Sequence, residues 1–280
     1  MPGNLERLPP GQIGRRLAAM VGTDPPAGPV WRVVSVAEIG STNDLASQLG
    51  KCGAPEGTVV VADYQASGRG RRGRPWHSPS GSGLWCSVLL RPPLPLGALG
   101  PLPLVLAVGV RRALAVHGAT ASRLKWPNDL LCKGRKLGGI LTEARGGTGT
   151  APPDFVIGGV GVNIVSPPDG WPPDLAATTT SLDHCVAGRQ DPAAFAHTML
   201  RQVGEVYELY LRSGFAQLRE EWLAHAEHLG GQVTISGPVG TTQGRFCDLD
   251  GLGRLVLESL DGRLQLISAG DVSLRPVAHV

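Results

Sequence analysis

The chain has 280 residues, enough to bury one large core with a small appendage. With 42% apolar and 18% charged residues it is a folding sequence, and a formal net charge of +3 excludes a polyanion binder that relies on bulk charge. Any anion site must come from local clustering, and 40 glycines with 24 prolines call for many turns.

Met1–Gly11 carries Glu6 and Arg7 and lacks an apolar core, so it does not read as a secretory signal. The stretch 1–29 is expected to be poorly structured apart from a short helix at Gln12–Val21, and it is too short for a helix-turn-helix DNA-binding domain. Trp31–Val36 reads as a strand, and Ser41–Leu49 as a helix opened by a Ser/Thr/Asn cap cluster. Thr58–Tyr64 is apolar and β-branched, hence a buried strand, followed by a polar loop at Gln65–Ser82 and a strand at Leu84–Leu90. Leu94–Val110 is the most apolar run, but Pro95, Pro101, Pro103 and Arg111 interrupt it, which excludes a bilayer span. Leu99–Val116 reads instead as a core helix. Short strands at Leu124–Trp126 and Leu130–Cys132 lead through a Lys133-Gly134-Arg135 tip into Leu137–Glu143. Val156–Ile164 is a strand interrupted by Gly158, Gly159 and Gly161, which permit close approach of a neighbour or ligand.

Asp191-Pro192 caps a helix whose face carries Phe195, Met199, Val203, Val206 and Tyr210, and a second stripe follows at Phe215, Leu218, Trp222 and Ala226. Four short strands occupy Gln232–Ser236, Thr242–Leu249, Arg254–Leu260 and Arg263–Ser268, with hairpin turns at Asp250-Gly251 and Asp261-Gly262. They predict a small β-barrel module over 230–280, set apart from a main domain over 1–229. The five scattered cysteines (Cys52, Cys86, Cys132, Cys185 and Cys247) have no zinc spacing and read as free, mostly buried thiols of a reducing cytosol. His225 and His228 lack a third ligand and read as surface residues.

Three segments carry chemistry. Gly68-Arg69-Gly70-Arg71-Arg72-Gly73-Arg74-Pro75-Trp76 packs four cations into seven residues. Ordering such a loop costs about 1–2 kcal/mol per residue of backbone entropy. A bound polyanion offsets that cost by accepting forked hydrogen bonds and direct amide contacts. The segment is neither a P-loop nor a dinucleotide fingerprint. It is expected to be irregular and mobile when empty, closing over a phosphate-bearing ligand. Lys125-Trp126-Pro127-Asn128-Asp129 sets a lysine, an amide and a carboxylate around a rigid proline, which suits phosphate and Mg²⁺. Lys133–Glu143 places Lys136 three residues before Gly139 at the start of a buried strand. Taken singly, these segments also admit a solvated basic loop, an arginine-rich RNA-binding segment or ordinary turns.

Together with Gly40-Ser41-Thr42-Asn43, Gln65 and Gly159-Val160-Gly161-Val162-Asn163, these motifs resemble biotin protein ligases from about Val30 onwards. The resemblance implies an α+β fold: a mixed β-sheet flanked by helices, related to class II aminoacyl-tRNA synthetases, with a small C-terminal SH3-like β-barrel. It implies a monofunctional ATP-using enzyme that makes biotinyl-5′-adenylate and passes biotin to a lysine of a biotin carboxyl carrier domain. Biotin, ATP and Mg²⁺ would be bound; DNA and membranes would not. The protein would be a cytoplasmic monomer or weak homodimer. Ser41, Thr42, Gln65, Gly68, Arg69, Lys136, Gly139, Gly159 and Gly161 would hold biotin. Arg71, Arg72, Arg74, Trp76, Lys125, Asn128 and Asn163 would hold the nucleotide, with Asp129 on Mg²⁺. Lys136, Arg69 and Arg71 would carry catalysis. The rival within the fold is a lipoate or octanoate ligase, and outside it an arginine-loop RNA-binding protein.

Overall fold

A computed structural model describes residues 12–21, 28–188, 190–237, 240–268 and 273–276. Helix α1 (Gln12–Met20) buries Ile13 and Leu17, and Gly14 lets it approach β1 (Arg32–Ile39) so closely that an added Cβ would lie 2.3 Å from Ser35 Oγ. The short helix expected at Gln12–Val21 is thus present and packs into the core; residues 1–11 and 22–27 lie outside the described part.

Helix α2 (Thr42–Lys51) crosses over to β2 (Thr58–Gln65), which pairs parallel with β1. Parallel neighbours require such a crossover, whereas the remaining pairs of this sheet are antiparallel. β3 (Gly83–Leu90) is followed by α3 (Leu102–Val116), β4 (Arg123–Lys125), β5 (Asp129–Cys132), β6 (Arg135–Arg145) and β7 (Phe155–Asn163). The seven strands lie in the order β1-β2-β3-β7-β6-β5-β4. Single-turn helices α4 (Pro173–Ala176) and α5 (Leu182–Cys185) lead to α6 (Pro192–Ser213) and α7 (Ala216–Ala224). α6 is capped by the Asp191 carboxylate, which accepts from the Ala193 amide at 3.0 Å, and it ends at Gly214 with φ 72°.

The two sheet faces have different fates. Val59, Val61, Leu84, Cys86, Val88 and Val162 join the main core with α1, α3 and α6. On the other face Val60, Leu89, Phe155 and Ile157 pack with Ala46 of α2 in a smaller cluster. One short helix cannot cover seven strands. Beyond it, β6 and β7 present Gly139, Gly159 and Gly161, and the sheet is left open for a ligand cavity.

The C-terminal strands β8 (Gln232–Gly237), β9 (Gly240–Leu249), β10 (Leu255–Glu258), β11 (Leu264–Ile267) and β12 (Ser273–Pro276) form an antiparallel sheet in the order β11-β10-β9-β8-β12. The first four match the sequence expectation; β12 was not anticipated. Asp250 holds the β9–β10 turn by accepting from the amides of Leu252 and Arg254 and from Arg254 Nε. Val233, Ile235, Phe246, Leu249, Leu255 and Leu257 belong to the same core cluster as α3 and α6. Trp126 Nε1 donates to Gly253 O at 3.0 Å across the junction.

The cysteine expectation needs one correction. Cys132 at the end of β5 is bonded to Cys185 at the end of α5, with Cα atoms 6.4 Å apart. The Lys136 amide donates to Thr178 O and the Thr180 amide to Lys136 O, which brings this distant stretch back to the hairpin. Cys52, Cys86 and Cys247 are free, and Cys52 is exposed rather than buried. No described helix is long and apolar enough to cross a membrane.

Candidate active site

The cavity, of about 400 Å³, lies on the open face of the large sheet. That volume suits a small organic ligand. Its polar end is built by the start of α2. Ser41 is the residue before the first turn, and Gln65 Oε1 accepts from the Thr42 amide at 2.9 Å and from Thr42 Oγ1 at 3.1 Å. Gln65 Nε2 donates to Ser78 Oγ at 2.9 Å, which fixes which end of the amide points inward. Ser87 Oγ lies 2.8 Å from Thr42 Oγ1 and 2.6 Å from Asn43 Oδ1, while Asn43 Nδ2 donates to Glu143 Oε2 at 2.7 Å. Buried polar groups held in such a closed network present fixed donors and acceptors to a ligand.

The glycines of β6 and β7 make the floor. A Cβ on Gly159 would lie 2.3 Å from Asn43 Oδ1, and one on Gly161 would lie 2.7 Å from Trp76 Cε2. Their bare backbone thus seats Asn43 and the Trp76 ring. Gly139 is roomier, with its nearest neighbour 3.5 Å away. Trp76 meets Trp85 edge-on with ring centroids 6.3 Å apart, and its indole Nε1 is buried with no hydrogen-bond partner.

The arginine-glycine segment is a tight hairpin, not an irregular loop. The Gly70 amide donates to Arg74 O at 2.7 Å, the Trp76 amide to Gly68 O at 2.8 Å, and Arg69 bridges to Pro75. Arg72 and Gly73 turn the tip with φ of 59° and 70°. The expectation missed this because the cross-hairpin bonds are carried by backbone, which the run of charges hides. Gly68 does not line the cavity; a Cβ there would meet Ser78 Oγ and Trp76 O at 2.8 Å, so it closes the hairpin stem. Arg69, Arg71, Arg72 and Arg74 all line the cavity. Arg69 is nonetheless gripped by Asp44, whose two carboxylate oxygens accept at 2.6 and 2.7 Å. This guanidinium holds the Asp44 carboxyl below its usual range, and Asp44 in turn raises Arg69.

The opposite end gathers Lys125, Trp126, Asn128, Asp129 and Lys136. Lys136 Nζ is 2.7 Å from Asp129 Oδ1 and 5.3 Å from the centre of the Trp76 ring. Asn128 Nδ2 donates to Ile140 O at 2.7 Å, which ties the turn to β6. Asn163 lines the cavity too, but its amide donates to Thr180 O at 3.0 Å, so it braces the returning chain. Among the described residues Asp129 is the one carboxylate on the cavity wall, and no group of three or more His, Cys, Asp or Glu side chains suited to a metal occurs. That fits a magnesium ion held by one carboxylate and completed by substrate phosphates and water.

The segments singled out in the sequence come together around one cavity, Gly68 aside. Sequence reasoning missed Asn43, His77, Trp171, Leu175 and Thr179, which also line the cavity. Asn43 stood inside the Gly40–Asn43 motif and could have been named. Trp171, edge-on to His77 at 6.2 Å, comes from a Pro-rich loop with no periodicity to reveal it.

Comparison with known proteins agrees with this geometry. The Biotin/lipoate A/B protein ligase family matches residues 36–163, and the Biotin protein ligase C terminal domain matches residues 228–275. The chain is 36% identical over 253 residues to the biotin--[acetyl-CoA-carboxylase] ligase of Mycobacterium tuberculosis, covering 88% of this chain and 90% of that one. It is 34% identical over 241 residues to the ligase of the same name from Paracoccus denitrificans, covering 85% and 98%. The structure of a biotin protein ligase from Aquifex aeolicus in complex with biotin and ATP superposes with a TM-score of 0.74 at 29% identity, covering 86% of this chain and 97% of that one. With both sheets, the polar pocket end and the cationic hairpin accounted for, the chain belongs to the biotin protein ligase family.

Proposed function

We infer that this protein is a biotin protein ligase. It activates biotin with ATP to biotinyl-5′-adenylate and transfers biotin to a lysine of a carboxyl carrier domain. The observation that carries this reading is one cavity whose neutral hydrogen-bonding end, around Thr42 and Gln65, leads to a cationic end around Lys136 and the hairpin. A ureido ring needs fixed donors and acceptors. A carboxylate meeting an α-phosphate needs cations.

In the first step a carboxylate oxygen of biotin attacks the α-phosphorus of ATP and pyrophosphate leaves. In the second the ε-amine of the carrier lysine attacks the carbonyl carbon of the mixed anhydride and AMP leaves. We assign Ser41, Thr42 and Gln65 to the ureido ring and Gly139, Gly159 and Gly161 to the channel floor. Lys136 would sit between carboxylate and α-phosphate, released from Asp129 as the anions enter. Arg71, Arg72 and Arg74 would face the phosphates, with Lys125 and Asn128 at the nucleotide end. Asp129 would hold Mg²⁺, which neutralises phosphate charge when bound. Trp76 and the hairpin exclude water from the anhydride. Acceptance of a carrier domain of acetyl-CoA carboxylase is supported by the names of the Mycobacterium and Paracoccus relatives; a cytoplasmic location is part of the same proposal.

Incubation with biotin, ATP, magnesium and a purified carrier domain tests the reading by mass. One biotinyl group on the carrier lysine is expected. Transfer of lipoate but not biotin would move the protein to the related lipoate ligases.

A further inference from the structure

The geometry points to Asp44 as the positioning residue of the cationic hairpin, with Arg69 as its anchor rather than a phosphate ligand. This inference rests on the ligase reading for its functional consequence, though not for its structural one. Asp44 lies in the first turn of α2, and both its oxygens are taken up by the Arg69 fork. Arg69 faces Pro75 across the hairpin stem, one residue before Trp76, whose ring lies over Gly161. A grip on Arg69 therefore fixes both strands of the stem and the ring that covers the floor. The tip, Arg71 to Gly73, lies beyond the grip.

Charge bookkeeping points the same way. A guanidinium whose two terminal nitrogens already donate to a carboxylate is a poorer partner for a second anion, and Arg71, Arg72, Arg74 and Lys136 also line the cavity. Asp44 also lies on the same α2 turn as Thr42, which holds Gln65. Hairpin closure and the polar end of the pocket thereby share one support. The product of the first step is a mixed anhydride that water destroys, so a stem held shut matters most for retaining it.

The test uses full-length Asp44→Asn and Arg69→Lys, which leave one oxygen or one charge but break the fork. Amide hydrogen exchange over residues 68–76 is measured in the unliganded proteins, and release of preformed biotinyl-adenylate in the liganded ones. Both variants should exchange and release roughly 3- to 10-fold faster than the parent, the size expected for a partly exposed forked pair. The swap Asp44→Arg with Arg69→Asp should restore slow exchange, which a role in phosphate contact could not do. Parent-like exchange in Asp44→Asn overturns the proposal. So does an Arg69→Lys protein that retains adenylate as the parent does, because a lysine would then be serving as a simple phosphate cation. Fast exchange in the variants, with no adenylate formed by the parent, would leave the anchor standing and sink the ligase reading instead.

Discussion

Replacing Gly161 with alanine puts one methyl group where the Trp76 ring lies. The ideal Cβ would stand 2.7 Å from Cε2 and 2.8 Å from Cζ2 and Nε1 of that ring, so the indole must withdraw by about 1 Å to reach ordinary contact. It cannot slide freely, because the Trp76 amide is bound to Gly68 O and Trp85 flanks the ring. Forcing a methyl into such a contact costs about 1–3 kcal/mol. Trp76 is only partly buried, so the cost should fall on closing the hairpin over ligand rather than on global folding. Converted to affinity, it is about a 5- to 150-fold rise in the dissociation constant for biotin. Gly139→Ala is the internal control, since its Cβ meets Trp76 Cζ3 at 3.5 Å and Asp129 Oδ1 at 3.6 Å. That variant should lose less than about threefold in affinity, equivalent to a small fraction of the overpacking cost. Calorimetric titration of biotin into both variants, alongside thermal melts, decides the matter. Equal affinities for the two would refute the seating of Trp76 on Gly161, as would a Gly161→Ala protein that simply unfolds earlier and binds as before.

Lys136→Met should slow pyrophosphate release by about 10²–10³, the usual worth of one preplaced charge, while its melting point barely moves. Equal losses of both would make it a structural lysine. Trp126→Phe leaves the Gly253 carbonyl without its donor and should lower the urea unfolding free energy by about 1–3 kcal/mol. An unchanged midpoint would show that the carbonyl finds another partner. Arg112 hydrogen-bonds Glu221 and holds its carboxyl below the ordinary 4.5. Its stabilising share is therefore present above that pH and lost as pH falls through the lowered value. The melting gap between parent and Glu221→Gln at pH 7 should close on acidification below 4.5, and a constant gap would refute the ion pair. Burial pushes the Cys86 thiol up to about 12, so alkylation at pH 8 should label exposed Cys52 and spare Cys86 in the folded protein.

Much of the fold was legible because burial writes directly into periodicity. β2 and β3 are buried on both faces over most of their length since they lie inside the sheet, and both stand out as predominantly apolar runs. The Asp250-Gly251 turn and the Asp191-Pro192 cap are local chemistry and fall where the sequence placed them. β12 did not register, being short and at the sheet edge. The cavity lining was readable wherever its residues form contiguous motifs, as in Lys125–Asp129. Contacts made across chain distance were not. The Asp44–Arg69 grip spans 25 residues and the Cys132–Cys185 link 53, and neither partner of either pair carries a local mark of the other. The bond from Asn163 to Thr180 is of the same kind: an amide suited to a ligand is spent on the protein itself.

The junction between the two sheets has a consequence for how the molecule comes apart. Phe246 meets Trp222 edge-on, Arg219 holds both Asp248 and Leu249 O, and Gly253 packs on Leu104 and Pro101. Trp126, on the wall of the cavity, donates its indole proton to the C-terminal turn. Pieces that share a core and a buried hydrogen bond do not melt independently. Heat or denaturant should therefore take the C-terminal sheet and the nucleotide end of the cavity together, in one cooperative step. A chain ending at residue 229 would leave Trp222, Leu104 and Trp126 facing water, with the Lys125–Asp129 turn losing its outer wall. The small β-sheet is in this sense the far side of the cavity, and exchanging it between relatives would require an incoming turn that still accepts the Trp126 indole proton.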